Sequence, residues 1–254
     1  MTSICTRSRL THLAAGIAAV AALLGAAPAM ANVVNFETIT PAFYFDGNVL
    51  SESGYMLQTV DTHEGGGGLA GILVNGQDST TCATGGCPTN NGSLFYAGIA
   101  DGALRISRGG DLFSLTSLDY SFVAPVGGLP NYSYGQLMLT GTRANGSIID
   151  YAIDFAGTDS NGNPLFDTTY LTSGFAGSVL TGLTIQACLF NDAGACTRPH
   201  TLDDEGYNQA QFAIDNLNLT DVPEPGSLAL LGLGLGALTL RRRKAGRTID
   251  TINA

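Results

Sequence analysis

The segment Gln136-Leu137-Met138-Leu139-Thr140-Gly141-Thr142-Arg143-Ala144-Asn145-Gly146-Ser147-Ile148-Ile149-Asp150-Tyr151-Ala152-Ile153-Asp154-Phe155 decides the fold. Ile149, Tyr151, Ile153 and Phe155 alternate with Asp150, Ala152 and Asp154, the period of two that puts apolar side chains on one face of a strand. Asn145-Gly146 supplies two residues that tolerate the positive φ of a tight hairpin turn. The segment predicts an antiparallel hairpin of strands 136–142 and 147–155.

The same alternation recurs in Leu118–Phe122 and Leu183–Leu189, and Asn-Gly recurs at Asn75, Asn91 and Asn161. No helical periodicity of useful length runs between residues 32 and 221. Many short strands joined by Gly-rich turns predict an all-β chain, a β-sandwich of the jelly-roll kind, and exclude a parallel α/β sheet.

Charge and cysteine narrow the function. Between residues 32 and 221 nineteen acids face four cations (Arg105, Arg108, Arg143 and Arg198), a net charge of −15. That excludes nucleic acid and anionic membrane surfaces as partners of this region. Cys82, Cys87, Cys188 and Cys196 are an even set, read as two disulfides of an exported protein. Three pairings exist. Cys82–Cys87 and Cys188–Cys196 are favoured because each pair brackets a Gly-containing loop. With no Cys-x2-Cys pair and only His63 and His200 as imidazoles, zinc is not indicated.

The two ends read as addresses. Arg7 and Arg9 precede an apolar run, Leu13–Ala27, and Ala29-Met30-Ala31 is a cleavage site, so residues 1–31 form a secretory signal peptide. At the other end, the prolines of Val222-Pro223-Glu224-Pro225 end any strand or helix. Residues 227–240 then form an apolar helix of about 21 Å, short against about 30 Å of hydrocarbon. Arg241-Arg242-Arg243-Lys244 hold that end in the cytoplasm, with residues 246–254 as a cytoplasmic tail. The body between the addresses, 32–221, has 190 residues, enough for one domain.

Val-Pro-Glu-Pro, a short Leu/Gly-rich helix and an Arg cluster resemble the PEP-CTERM sorting signal of Gram-negative bacteria, here over residues 222–245. The resemblance implies export across the inner membrane, recognition by exosortase (a membrane-embedded cysteine protease), removal of the tail, and an envelope, surface or extracellular-matrix destination among exopolysaccharide. The order Asn35–Thr38, Gly54-Tyr55, Asn91–Ser93, Gly110–Leu118 and Phe212–Leu217 is similar to the jelly-roll body common among such proteins, in the style of carbohydrate-binding modules. In jelly rolls the first and last strands lie together, so Glu37 and Asp215 could share a structural calcium. The competing reading is that Asp215-Asn216 simply ends or bulges a strand, because the apolar phase slips between Ile214 and Leu217.

Other patterns carry less chemistry. Gly65–Gly68 lacks the lysine of a phosphate loop, though the rim at His63 and Glu64 is a candidate site. Asp159–Asn163 opens like a calcium loop, but Pro164 stands where that loop needs glycine, and a hairpin turn explains it. Asp203-Asp204-Glu205 reads as a solvated turn. Asp150 and Asp154 share a strand face about 13 Å apart, too far for a glycosidase pair. The body is expected to be non-catalytic and to bind polysaccharide through Tyr44, Tyr55, Tyr96, Tyr132 or Tyr134, Tyr132 and Tyr134 lying on the most loop-like segment. The alternative is a secreted polysaccharide-active hydrolase.

Overall fold

The computed structural model describes residues 31–78, 86–172, 174–198, 201–204 and 206–222, together with Gly234. Met30–Val222 forms one compact unit, and Met1–Ala29 and Pro223–Ala254 fall outside it. The expected signal peptide, the apolar segment 227–240, Pro223–Pro225 and Arg241–Lys244 therefore lie outside the described residues, apart from Ala31 and Gly234.

The predicted hairpin forms as β9 (Gly135–Arg143) and β10 (Ile148–Asp154), with Thr142 opposite Ile148. Gly146 turns it at φ +81°. Leu137 and Leu139 face the core, while Asp150 and Asp154 face solvent beside Thr140 and Gln136, which donate to them at 2.7 and 2.8 Å.

The strands build two antiparallel layers. One orders β2 (Phe43–Phe45), β5 (Leu69–Asn75), β6 (Leu94–Gly98), β14 (Phe212–Val222), β8 (Leu112–Phe122) and β11 (Asp167–Tyr170). Beside β6, strand β1 (Ala31–Val34) pairs with the far half of β14, from Ala31↔Thr220 to Val34↔Leu217. The other layer orders β3 (Val49–Glu52), β4 (Tyr55–Val60), β7 (Ala103–Ser107), β12 (Leu180–Phe190), β9 and β10, with β13 (Cys196–Thr197) on the end of β12. One pair, Leu180↔Phe113, joins the layers, so hydrogen bonding runs through all fourteen strands among the described residues and the sheet curls on itself. This is the all-β sandwich expected from the alternation.

Phe36, Tyr55, Leu57, Leu104, Ile106, Leu115, Phe212 and Leu219 meet between the layers in the main core. A second cluster (Ile72, Val74, Phe95, Ala97, Val123 and Ala213) lies on the outer face of the first layer, under Phe166 and Cys87. With both faces covered, β5 reads as a near-continuous apolar run rather than an alternating one. Leu69–Asn75 is thus a strand inside the sheet.

Aromatic rings and glycines pack reciprocally in this layer. Gly98 on β6 lies opposite Phe212 on β14, and Gly71 on β5 lies opposite Gly98. A Cβ at Gly98 would fall inside the Phe212 ring, and one at Gly71 inside the Tyr96 ring. Both rings are fully buried.

Cys188 on β12 and Cys196 on β13 form a disulfide across eight residues. Closing so short a loop in the unfolded chain is worth about 2–3 kcal/mol. Cys87 is disulfide-bonded as well, and Cys82, its expected partner, lies outside the described residues.

Candidate functional site

The loop between β8 and β9 carries an aromatic ladder. Phe122, buried at the end of β8, stacks on Tyr134 with ring centroids 5.7 Å apart and planes 13° apart. Tyr134 in turn lies 4.1 Å from Tyr132. Tyr132 is 55 % exposed, so the ladder runs from the core to solvent. The Pro130 carbonyl accepts the Tyr134 hydroxyl at 2.9 Å and the Tyr132 amide at 3.1 Å, which fixes both rings. Loss of water around the Tyr134 hydroxyl and its contact with Tyr132 push its pKa up to about 12, so it remains a neutral donor at ordinary pH.

Beside the ladder is a cleft of about 480 Å³ between residues 128–131 and 158–162. The two loops are tied together: Asn131 Oδ1 accepts the Thr158 amide at 2.9 Å, and Leu129 N donates to the Gly162 carbonyl at 3.1 Å. Gly162 sits at φ +78° against the backbone of Gly128 and Leu129, so only glycine allows this approach. On the rim, Asp159 accepts the amides of Asn163 and Asn161 at 2.9 and 2.8 Å. These bonds, led by those from Asn163, hold its pKa below the usual carboxylate range. The calcium-loop look of Asp159–Asn163 thus resolves into a turn whose carboxylate caps its own backbone.

The other tyrosines named as stacking faces are not available. Tyr55 and Tyr96 are fully buried, and Tyr44 is half-buried with its hydroxyl on the Thr40 carbonyl at 2.9 Å. Their strands turn them inward, where Tyr55 also finds a hydroxyl partner in Asp221 at 2.8 Å. The exposed aromatics that the sequence did not flag are Phe43 and Phe45 on edge strand β2, 53 % and 51 % exposed, and Tyr170 on β11. The Phe-Tyr-Phe triplet could have flagged β2, since the flanking rings share one face.

Glu37 and Asp215 both bond to the segment 91–94. Glu37 accepts the Leu94 amide at 2.9 Å; Asp215 accepts Ser93 Oγ at 2.7 Å, Asn91 Nδ2 at 3.0 Å and the Asn216 amide at 2.7 Å. The oxygens of Asp215 are therefore engaged by the protein itself. Among the described residues no group of three or more His, Cys, Asp or Glu is placed to hold a metal. The predicted slip in β14 is present: Asn216 has φ +48° and the register shifts between Asp215 and Asn218.

Asp215 is fully buried, and burial raises its pKa above the carboxylate reference of 3.8, with Asp119 adding repulsion against the hydrogen bonds that oppose the shift. A carboxylate with a raised folded pKa lends stability while protonated and loses it as pH climbs from the unfolded value through the folded one. Relative to wild type, Asp215→Asn should therefore fare better at pH 7 than at pH 4 in thermal melts. A relative Tm that moves the other way contradicts the assignment.

His63, the rim residue, lies between two acids. Its Nδ1 is 2.9 Å from Asp61 and its Nε2 3.1 Å from Asp101, and its ring packs on Tyr207 at 4.4 Å. Asp101, which the sequence did not single out, also accepts the amides of Asn208 at 2.6 Å and Ala210 at 2.7 Å. This cluster is a structural clamp on residues 207–210.

The last described strand ends at Val222, opposite Leu112, and the proline-flanked glutamate and the basic run follow it in the sequence. Residues 221–244 match the PEP-CTERM protein-sorting motif. The PEP-CTERM motif marks the chain as an exported protein, sorted by exosortase to the envelope or surface of a Gram-negative bacterium. No curated protein matches the chain. Similar solved structures include a mutant of the family 29 carbohydrate-binding module CBM29-2 (13% identity, 78% of this chain, 100% of that one, TM-score 0.32). Others are TmCBM61 with β-1,4-galactotriose (9%, 74%, 94%, 0.34) and a cyclase from Fischerella sp. TAU (12%, 77%, 100%, 0.36).

Proposed function

We propose that the exported body is a non-catalytic module that binds neutral polysaccharide in the envelope or extracellular matrix, delivered there by exosortase processing of its PEP-CTERM tail. The observation that carries this reading is the exposed Tyr132 ring, braced by Tyr134 and Phe122 beside a cleft of about 480 Å³. Its size and mixed lining suit one or two sugar rings. A net charge of −15 on residues 32–221 favours neutral over anionic glycans.

The hydrolase alternative needs two carboxylates aimed at one bond. Asp119 and Asp167 line one pocket of about 230 Å³. Their cross-strand partners are Thr168 and Tyr120, so the pleat directs the two acids to opposite faces. That arrangement does not aim this pair at one bond.

Affinity electrophoresis in gels cast with neutral exopolysaccharide tests the proposal. The wild-type body should be retarded, and Tyr132→Ala should weaken retention about tenfold, the equivalent of about 1.4 kcal/mol. Its Tm should change little, because the residue is 55 % exposed. Wild-type mobility unaltered by every neutral polysaccharide would end the binding reading. Release of reducing sugar that Asp119→Asn or Asp167→Asn abolishes would replace it with the hydrolase.

A further inference from the structure

The sorting motif does not begin beyond the fold. Its first two residues, Asp221 and Val222, are the last two of β14, paired with Phe113 and Leu112 of β8. On the other side β1 reaches Thr220. Asp221 is the most heavily held residue at this end of the strand. Arg108 forms an ion pair with its carboxylate, Tyr55 donates to Oδ1 at 2.8 Å, and Asn32 Nδ2 donates to Oδ2 at 3.1 Å. The Arg108 guanidinium also sits 5.3 Å from the centre of the Tyr55 ring, which packs edge-on against Phe113. Three segments of the chain thus converge on the Asp221 side chain, two residues before Pro223.

A protease grips its substrate as an extended chain, so residues flanking the cut must first leave their ladder. Pro-Glu-Pro follows Val222 with no spacer. We infer that the Asp221 clamp is a brake on sorting: the folded body must release the end of β14 before exosortase can engage the motif fully. This rests on the reading that the tail is processed by exosortase. Only the access step belongs to this chain; the bond-breaking chemistry is the enzyme's. The clamp links the two events, because its Asn32 arm becomes the first residue of the body once the signal peptide is cut.

Pulse-chase of the full-length precursor in a host with the sorting machinery tests the brake. Arg108→Ala should speed conversion about three- to tenfold, since the ion pair is only partly shielded from water. Tyr55→Phe, which removes one donor, should have a smaller effect in the same direction. A four-residue Gly-Ser spacer between Val222 and Pro223 leaves the clamp intact and should match Arg108→Ala. In the spacer background Arg108→Ala should add nothing, which separates a brake from general loss of stability. Unchanged or slower conversion in both the spacer and the Arg108 variants overturns the inference. Glu224→Ala is the control for the underlying reading: it should stop conversion, and normal conversion would overturn exosortase processing and the brake with it.

Discussion

Gly98→Ala will destabilise the body by about 3 kcal/mol, the upper range for forcing one methyl group into a packed core. The position carries no backbone penalty for alanine, because Gly98 is not among the residues with positive φ. The loss comes from space alone: the new methyl occupies the place of the Phe212 ring, which is fully buried between Tyr96 and the rest of the core. Phe212→Ala alone should cost about 3–5 kcal/mol as a cavity. The double variant should cost well under the sum of the two, because removing the ring makes room for the methyl. Urea denaturation of the four proteins gives this coupling directly. Additive losses would mean that the ring does not lie over the glycine.

Asp101→Ala should be of similar size, about 4 kcal/mol, or a fall in Tm of about 8–16 °C for a domain of this length. The carboxylate accepts two backbone amides from a segment more than a hundred residues away, those of Asn208 and Ala210, and the Ala210 bond is buried. Each amide left without a partner costs about 1–3 kcal/mol. Alanine would also have to hold φ near +53°, which aspartate and asparagine tolerate better. Asp101→Asn should accordingly lose about half as much. Amide exchange at Asn208 and Ala210 should accelerate in the alanine variant ahead of the core strands. Protection that stays uniform across β14 and these two amides would argue against a local clamp.

These two sites differ in how far the sequence announces them. The hairpin of Gln136–Phe155 is legible because its period and its Asn-Gly turn are local properties. The bulge at Asn216 is legible for the same reason, as a slip of apolar phase within five residues. The Cys188–Cys196 staple brackets a loop that closes on itself. The fate of a tyrosine is different. Tyr55 and Tyr132 are the same residue type, yet one is buried against Phe113 and Arg108 while the other stands in solvent. Strand alternation says that a side chain faces one way or the other; it does not say which face becomes the core of a two-layer fold. Asp101 was invisible because its partners, His63 and the amides of Asn208 and Ala210, lie 38 to 109 residues away, and nothing in Ile99–Gly102 specifies them. The candidate glycan site was half legible: Tyr132 and Tyr134 stand out on their Pro-Asn-Tyr-Ser-Tyr-Gly loop, while the cleft beside them exists only because 158–162 folds back against 128–131.

The pairing of Ala31 with Thr220 has a consequence for the order in which the strands are written. Where the body begins and where it ends are neighbours on one ladder, so the backbone is close to a ring. A short bridge from Val222 to Ala31 would close that ring, and the exposed Asn145-Gly146 turn offers a place to open it. In such a circular permutant no core strand would change its partners. A permutant that folds with an unchanged Tm would show that the sandwich does not depend on which strand is made first.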